Sequence, residues 1–192
     1  MKNVLVRSGL VSLLCGALLF AGCGDVEPPY PQDPVLNEIN RLLREKWQRG
    51  YMTEDVDLYM SAYWDIGFQY SADRGTDKIE DDIVFDDIVQ EREAAIYVFN
   101  KYQDIEIEIS EPPEIAPLND DKTQYEARNH YRLQLTVTEG TLEGGFTGAY
   151  AEGDSVFTFE QRVNPDTNEP EWRIVTWEDY GFTSDEIRAA NP

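Results

Sequence analysis

The sequence predicts an α+β domain in which helices cover one face of a curved, mostly antiparallel sheet. Two observations predict it. Apolar residues recur at helical spacing through the first part of the chain, and they alternate with polar residues through most of the rest. Helices followed by a run of adjacent strands are typical of α+β folds. Residues 35–192 are numerous enough to form one domain with its own core.

Two helices begin this domain. Asp33 and Pro34 suit the cap and first position of helix one, and Gly50 is expected to end it. Its apolar stripe comprises Leu36, Ile39, Leu43 and Trp47. Thr53 is expected to cap helix two, whose apolar side carries Val56, Tyr59, Met60 and Tyr63.

A short strand and a third helix follow. Phe68 and Tyr70 alternate with polar residues, which predicts the strand. The helix is predicted over residues 86–102, with Ile88, Ala95, Phe99 and Tyr102 along one stripe. The preceding segment, EDDIVFDD, fits either a strand or an early helical turn.

The period changes to two after Tyr102. Strands are predicted at residues 105–109, 125–137, 155–162 and 172–179. The second of these places Tyr125, Ala127, Asn129, Tyr131, Leu133, Leu135 and Val137 on one face and polar residues, including His130, on the other. The last strand is apolar on both sides, so we expect the tail or a second copy of the chain to cover it.

Residues 1–22 have the pattern of a secretory signal. Lys2 and Arg7 precede an apolar run that is shorter than the ~20 residues of a membrane span. The run ends in Ala-Gly-Cys, which resembles the lipobox of bacterial lipoproteins, although Phe20 stands where leucine is usual. The resemblance implies cleavage before Cys23, lipid (palmitate among its acyl chains) on that cysteine and a place in the bacterial cell envelope. Gly24 after it favours the outer membrane over the inner.

The lipidated cysteine and a proline-rich tether occupy residues 23–34, where an extended spacer is expected. The chain has 38 acidic and 16 basic residues, a net charge of −22. Nucleic acid is therefore excluded as a partner, because both surfaces are negative. Membrane contact is expected through the lipid on Cys23 alone, since anionic headgroups repel an acidic protein.

Several kinds of site are unsupported. The sequence has no glycine-rich phosphate loop, no histidine pair and no cysteine pair in the mature domain, so no metal or cofactor is expected. A catalytic triad would have to use His130, the one histidine, which lies on the predicted outer face of the sheet. His130 is accordingly interpreted as a surface residue.

The order of elements resembles the cone fold of the nuclear transport factor 2-like proteins, including the SnoaL-like cyclases and ketosteroid isomerases. The resemblance spans roughly residues 35–180 and depends on LYMSAYWDIGFQY, read as helix into strand, and on WRIVTWED as the last strand. It implies a pocket between the third helix and the concave face. The fold carries enzymes and non-catalytic binding domains alike, so it fixes no function.

The residues expected to line that pocket are Tyr59, Tyr63, Phe99, Asn129, Tyr131 and Trp172. Acid–base chemistry of the ketosteroid isomerase type would draw on Tyr63, Asp65, Tyr70 and Tyr131. Three functions therefore stay open. The leading hypothesis is that the domain binds a small apolar ligand or a partner protein without catalysis. The alternatives are an acid–base enzyme and a structural scaffold. A homodimer through the outer sheet face is also possible.

Overall fold

The computed structural model describes residues 33–73, 82–110, 113–142 and 145–190. The predicted signal, Cys23 and most of the tether lie outside these residues. The described chain confirms the α+β prediction, with one curved sheet of seven strands and a few helices.

The helices begin close to where the sequence predicts. They are α1 (Pro34–Leu42), a π-helical segment (Leu43–Gln48), α2 (Arg49–Met52), α3 (Val56–Met60), α4 (Ile88–Lys101) and α5 (Ser184–Ala190). Asp33 caps α1 as predicted, its carboxylate accepting a hydrogen bond from the Val35 amide at 2.9 Å. The cap of α3 is Asp55 and not Thr53, because the Asp55 carboxylate accepts from the amide of Leu58.

Gly50 does not end the first helix, which continues to Met52. It lies where this helix crosses α3, and a Cβ at this position would stand 2.5 Å from the backbone nitrogen of Tyr59. The glycine therefore permits a close helix crossing and is not a terminator.

The strands are β1 (Gln69–Asp73), β2 (Ile83–Phe85), β3 (Tyr102–Ile109), β4 (Glu114–Pro117), β5 (Gln124–Val137), β6 (Gly148–Val163) and β7 (Pro170–Gly181). Their order is β2-β1-β7-β6-β5-β3, with β4 also beside β5. Only the β1–β7 pair among these strands is parallel. The segment EDDIVFDD thus contributes a strand, and β6 begins seven residues before the predicted strand at residue 155.

A β-bulge in β7 corrects the expectation that this strand is apolar on both sides. Thr158 pairs with Thr176, but the next residue, Phe159, pairs with Ile174, so Val175 is an extra residue. Ile174 and Trp177 consequently face the same, concave side. The outer face is contacted by the tail at one place, where the ring of Phe182 lies 5.5 Å from that of His130. A second copy over the strand, and a homodimer through the outer face, stay predictions.

The concave side is more deeply buried at one end than at the other. We call the first the closed end; it is filled by fully buried side chains, among them Ile39, Leu43, Tyr63, Phe68, Phe159 and Ile174. The other end carries side chains that are only half-buried, namely Tyr51, Tyr70, Leu133, Trp177 and Asp179. We call it the open end of the cone.

Candidate functional site

A buried carboxylate, Glu91, lies on the inner side of α4, in the same stripe as Ile88 and Ala95. Its side chain is 4 % exposed and accepts a hydrogen bond of 2.5 Å at Oε1 from the Tyr59 hydroxyl. That hydroxyl in turn accepts one of 2.7 Å from the Tyr63 hydroxyl. Burial raises the pKa of Glu91 to about 7, against the smaller opposing effect of the Tyr59 hydrogen bond. Glu91 therefore exchanges its proton near neutral pH.

Three polar side chains form a row across the concave face of the sheet. Asn129 of β5 pairs in register with Ser155 of β6, and Ser155 pairs with Asp179 of β7. Neighbouring strands lie ~4.8 Å apart, so the row extends over roughly 10 Å. Asn129 and Ser155 are 3 % and 1 % exposed. Both amide atoms of Asn129, Oγ of Ser155 and Oδ1 of Asp179 have no hydrogen-bond partner within the described part of the chain.

Asp179 is the second carboxylate of the interior. Burial raises its pKa to about 6, and the hydroxyl of Tyr131, which lies beside it, acts in the opposite direction. Gly153 makes room for that hydroxyl, because a Cβ at residue 153 would stand 2.9 Å from it. Burial thus raises the pKa of both interior carboxylates above that of an exposed acid.

Aromatic rings connect the two carboxylates. The rings of Tyr70 and Trp177 lie 4.5 Å apart between centroids, and Tyr51 contacts Tyr59 at 5.4 Å. Burial is the main cause that raises the pKa of Tyr51 and Tyr70, and the charges of both Glu91 and Asp179 add to it. Tyr51 and Tyr70 therefore lie within electrostatic range of both acids.

The structure brings together most of the residues that the sequence singles out. Tyr59, Tyr63, Tyr70, Phe99, Asn129 and Tyr131 all face the concave side. Trp172 also faces it, but at the closed end, where it packs against Tyr125. Asp65 does not belong to the site: it is exposed in the turn that leads from α3 to β1, so it cannot act as the base.

Sequence reasoning missed Glu91 and Asp179. Glu91 follows Ile88 by three residues and precedes Ala95 by four, so a lone acid on an apolar helical stripe was a usable signal. Asp179 had no such signal. The bulge at Val175 reverses the alternation of β7, and without it Asp179 counts as facing outward.

The outer face of the sheet carries a second polar cluster around His130, as predicted. Its imidazole lies between Glu152, 3.0 Å from Nε2, and Asp154, 3.1 Å from Nδ1. Glu152 also accepts hydrogen bonds from Tyr150 and Arg132, and these contacts, that of Tyr150 foremost, lower its pKa to about 2.

A groove of about 470 Å³ lies beside this cluster and is lined by His130, Asp154, Arg128 and Tyr180, among others. Asn129 and Ser155 also border it. Two of its side chains are held by neighbours outside the lining: Arg128 donates to Glu126, and Tyr180 donates to Glu178.

The described residues provide neither a metal site nor a membrane-spanning helix. They contain no group of three or more histidine, cysteine, aspartate or glutamate side chains placed to hold a metal ion. No helix within the described ranges is long and apolar enough to cross a membrane.

Comparison with known proteins identifies the fold. No family model and no curated protein matches the sequence. A nuclear transport factor 2-like superfamily protein of Salmonella enterica superposes with a TM-score of 0.57 at 13 % identity, over 77 % of this chain and 91 % of that one. The chain has the nuclear transport factor 2-like fold.

Two solved structures with enzyme names superpose equally well on this cone. A putative scytalone dehydratase from Novosphingobium aromaticivorans gives a TM-score of 0.59 at 7 % identity, covering 78 % of this chain and 85 % of its own. A hexachlorocyclohexane dehydrochlorinase from Novosphingobium barchaimii gives a TM-score of 0.54 at 9 % identity. The match covers 76 % of this chain and 84 % of the dehydrochlorinase. At sequence identities this low, the superposition shows a shared fold and nothing about function.

Proposed function

We propose that the open end of the cone binds a small molecule and that Glu91 exchanges a proton with it. The observation that carries the proposal is the row of Asn129, Ser155 and Asp179, whose buried polar atoms have no partner within the described chain. Unpaired buried polar groups cost about 1–3 kcal/mol each, so a fold keeps them where a ligand or ordered water satisfies them. The row favours a ligand with polar groups, in addition to the small apolar body predicted from sequence.

The two carboxylates take different roles in this proposal. Asp179 holds a polar group of the ligand together with the amide of Asn129. Glu91, with a pKa of about 7, accepts or returns a proton, because catalysis by an acid or base is most efficient when its pKa lies near the working pH. Two carboxylates whose environments separate their pKa values are a recurring mark of acid–base sites.

The geometry allows Glu91 to act in this way. The hydroxyl of Tyr59 donates a hydrogen bond to Oε1 of Glu91, and no described side chain donates to Oε2 of Glu91. The hydrogen-bonded hydroxyls of Tyr63 and Tyr59 fix the carboxyl group and stay protonated themselves, since burial holds both of their pKa values well above normal. Dehydratase and dehydrochlorinase, the names of two proteins with this fold, describe eliminations, in which a proton is removed.

Binding without catalysis is the second candidate. The burial of Glu91 favours it, because a side chain that is 4 % exposed and hydrogen-bonded to Tyr59 is screened from a ligand at the open end. The two candidates differ in one outcome. A ligand that merely binds keeps its hydrogens, whereas an acid–base enzyme exchanges an acidic hydrogen of its ligand with solvent.

Deuterium exchange tests the proposed function directly. The full chain is screened by thermal shift against small hydroxy, keto and amino compounds, and each one that stabilises it is incubated with the protein in heavy water. We expect deuterium at one ligand carbon by NMR, lost in Glu91→Gln, while binding persists. The matched control, Glu93→Gln, removes an exposed carboxylate two residues away. Binding without exchange in the unaltered protein would leave only the second candidate.

We also propose that the chain acts while anchored by lipid on Cys23, at the outer membrane of a bacterial envelope. The lipobox-like sequence supports this. Replacing Cys23 by alanine is expected to abolish the mass increase due to lipid and to move the protein out of the membrane fraction. Cys15→Ala is the matched control, since Cys15 precedes the cleavage site. An unchanged membrane fraction in Cys23→Ala would contradict the proposal.

A further inference from the structure

The interior of the cone combines negative charge with aromatic faces. Asp179 is carried by β7 and Glu91 by α4, and both charges act on Tyr51 and Tyr70. The ring of Tyr70 lies against that of Trp177. No lysine or arginine of the described chain contributes to the pKa of either carboxylate. Among the described residues, the electrostatic environment of these two acids thus includes no compensating cation.

This arrangement discriminates ligands by charge. An anionic group would be repelled in a site of low polarity, where charges interact more strongly than in water. A cation is attracted both by the carboxylate and by the electron-rich faces of tyrosine and tryptophan rings. The chain's net charge of −22 additionally attracts cations to the molecule.

The unpaired polar row adds hydrogen-bond acceptors. Oδ1 of Asp179, Oδ1 of Asn129 and Oγ of Ser155 all lack a donor within the described chain. Asn129 and Ser155 are more than nine-tenths buried and share a row of the sheet with Asp179. A protonated amine carries up to three N–H donors on one positive centre, which suits such a set of acceptors.

We propose that the ligand of this site is a small protonated amine, with its ammonium group beside Asp179 and its apolar body against Tyr70 and Trp177. This inference rests on the proposed function and names its ligand class. Glu91 stays free for proton exchange, since the charge of the ligand is neutralised by the other carboxylate.

The test compares three probes of the same shape and different charge: 2-phenylethylammonium, 2-phenylethanol and phenylacetate. Binding to the full chain in a non-ionic detergent is followed by calorimetry and by quenching of tryptophan fluorescence. We expect the ammonium to bind at least about tenfold more tightly than the alcohol, a difference of about 1.4 kcal/mol, and the carboxylate not to bind. The preference should shrink below about pH 6, where Asp179 takes up a proton.

Two variants locate the charge that matters. Asp179→Asn keeps the shape of the side chain and should bring the ammonium and the alcohol to nearly equal affinity. Glu178→Gln is the matched control: it removes a carboxylate from the adjacent, outward-facing position of β7, where Glu178 pairs with Tyr180. It should leave the preference unchanged.

The outcomes separate this inference from the proposed function. If the alcohol binds as tightly as the ammonium in the unaltered protein, the amine inference is overturned and the interior site stands. If the ammonium is preferred but Asp179→Asn does not reduce the preference, the cation binds elsewhere and the inference also fails. If none of the three probes, nor any compound of the thermal-shift screen, binds, the proposed function fails with it.

Discussion

Replacing Glu91 by glutamine should change how the stability of the fold depends on pH. The pKa of Glu91 is raised from 4.5 to about 7, so the folded protein holds a proton there that the unfolded chain has lost. Stability therefore falls as pH rises from about 4.5 to 7. At ~1.4 kcal/mol for each pKa unit, the loss amounts to about 3 kcal/mol.

Glutamine keeps an oxygen for the Tyr59 hydroxyl and cannot ionise. We therefore expect Glu91→Gln to have nearly the stability of the unaltered protein at pH 4 and to be more stable than it by about 3 kcal/mol at pH 8. Urea unfolding at several pH values measures both curves. Many surface acids also repel one another as pH rises, so the difference between the two curves is the quantity to use.

The matched control is Glu93→Gln, on the exposed side of the same helix. A surface substitution of this kind usually changes stability by less than about 0.5 kcal/mol. The free energy of unfolding of Glu93→Gln should therefore vary with pH in parallel with that of the unaltered protein. If the curves of Glu91→Gln and the unaltered protein also run parallel from pH 4 to 8, Glu91 is not held protonated and its proposed role is refuted.

Three further predictions concern the fold and its anchor. Gly50→Ala should lower the free energy of unfolding by about 1–3 kcal/mol in urea titrations, because its Cβ would meet the Tyr59 backbone; unchanged stability would contradict the close crossing. Gly153→Ala should cost a similar amount, since its Cβ would meet the Tyr180 carbonyl oxygen and stand 2.9 Å from the Tyr131 hydroxyl, and unchanged stability would argue against these contacts. Cell fractionation of Cys23→Ala should find the protein released from membranes, and retention would argue against the lipid anchor.

The fold was predictable wherever periodicity and burial agree. The alternation of β5 correctly placed Asn129 and Tyr131 inside and His130 outside, because both faces of that strand are regular through 14 residues. Helix α4 was predictable for the same reason: its apolar stripe recurs through several turns.

The misses arise where tertiary contacts override the local pattern. A glycine signals both a helix end and a close crossing, and the crossing with α3 is invisible until the fold is known. Likewise, one extra residue at Val175 reverses the alternation of β7, which hid Asp179 and made Trp177 look exposed. The first half of β6 went unpredicted because small and polar residues, such as Gly148 and Gly153, interrupt its apolar alternation.

The candidate site was predictable in its tyrosines and not in its acids. Tyr59 and Tyr63 follow from helical spacing, and the resemblance to the cone fold placed them beside a pocket. The choice of Asp65 as the acid came from nearness in sequence, whereas the acid hydrogen-bonded to Tyr59 comes from another helix, 32 residues away.

The most direct test of the account is a crystal structure of the chain at neutral pH with the tightest-binding small molecule from the screen. The account predicts that molecule at the open end, with a polar group within ~3 Å of Asn129 and Asp179 and its body against Trp177. A row of Asn129, Ser155 and Asp179 satisfied by ordered water alone, with the molecule bound on the outer face, would contradict it.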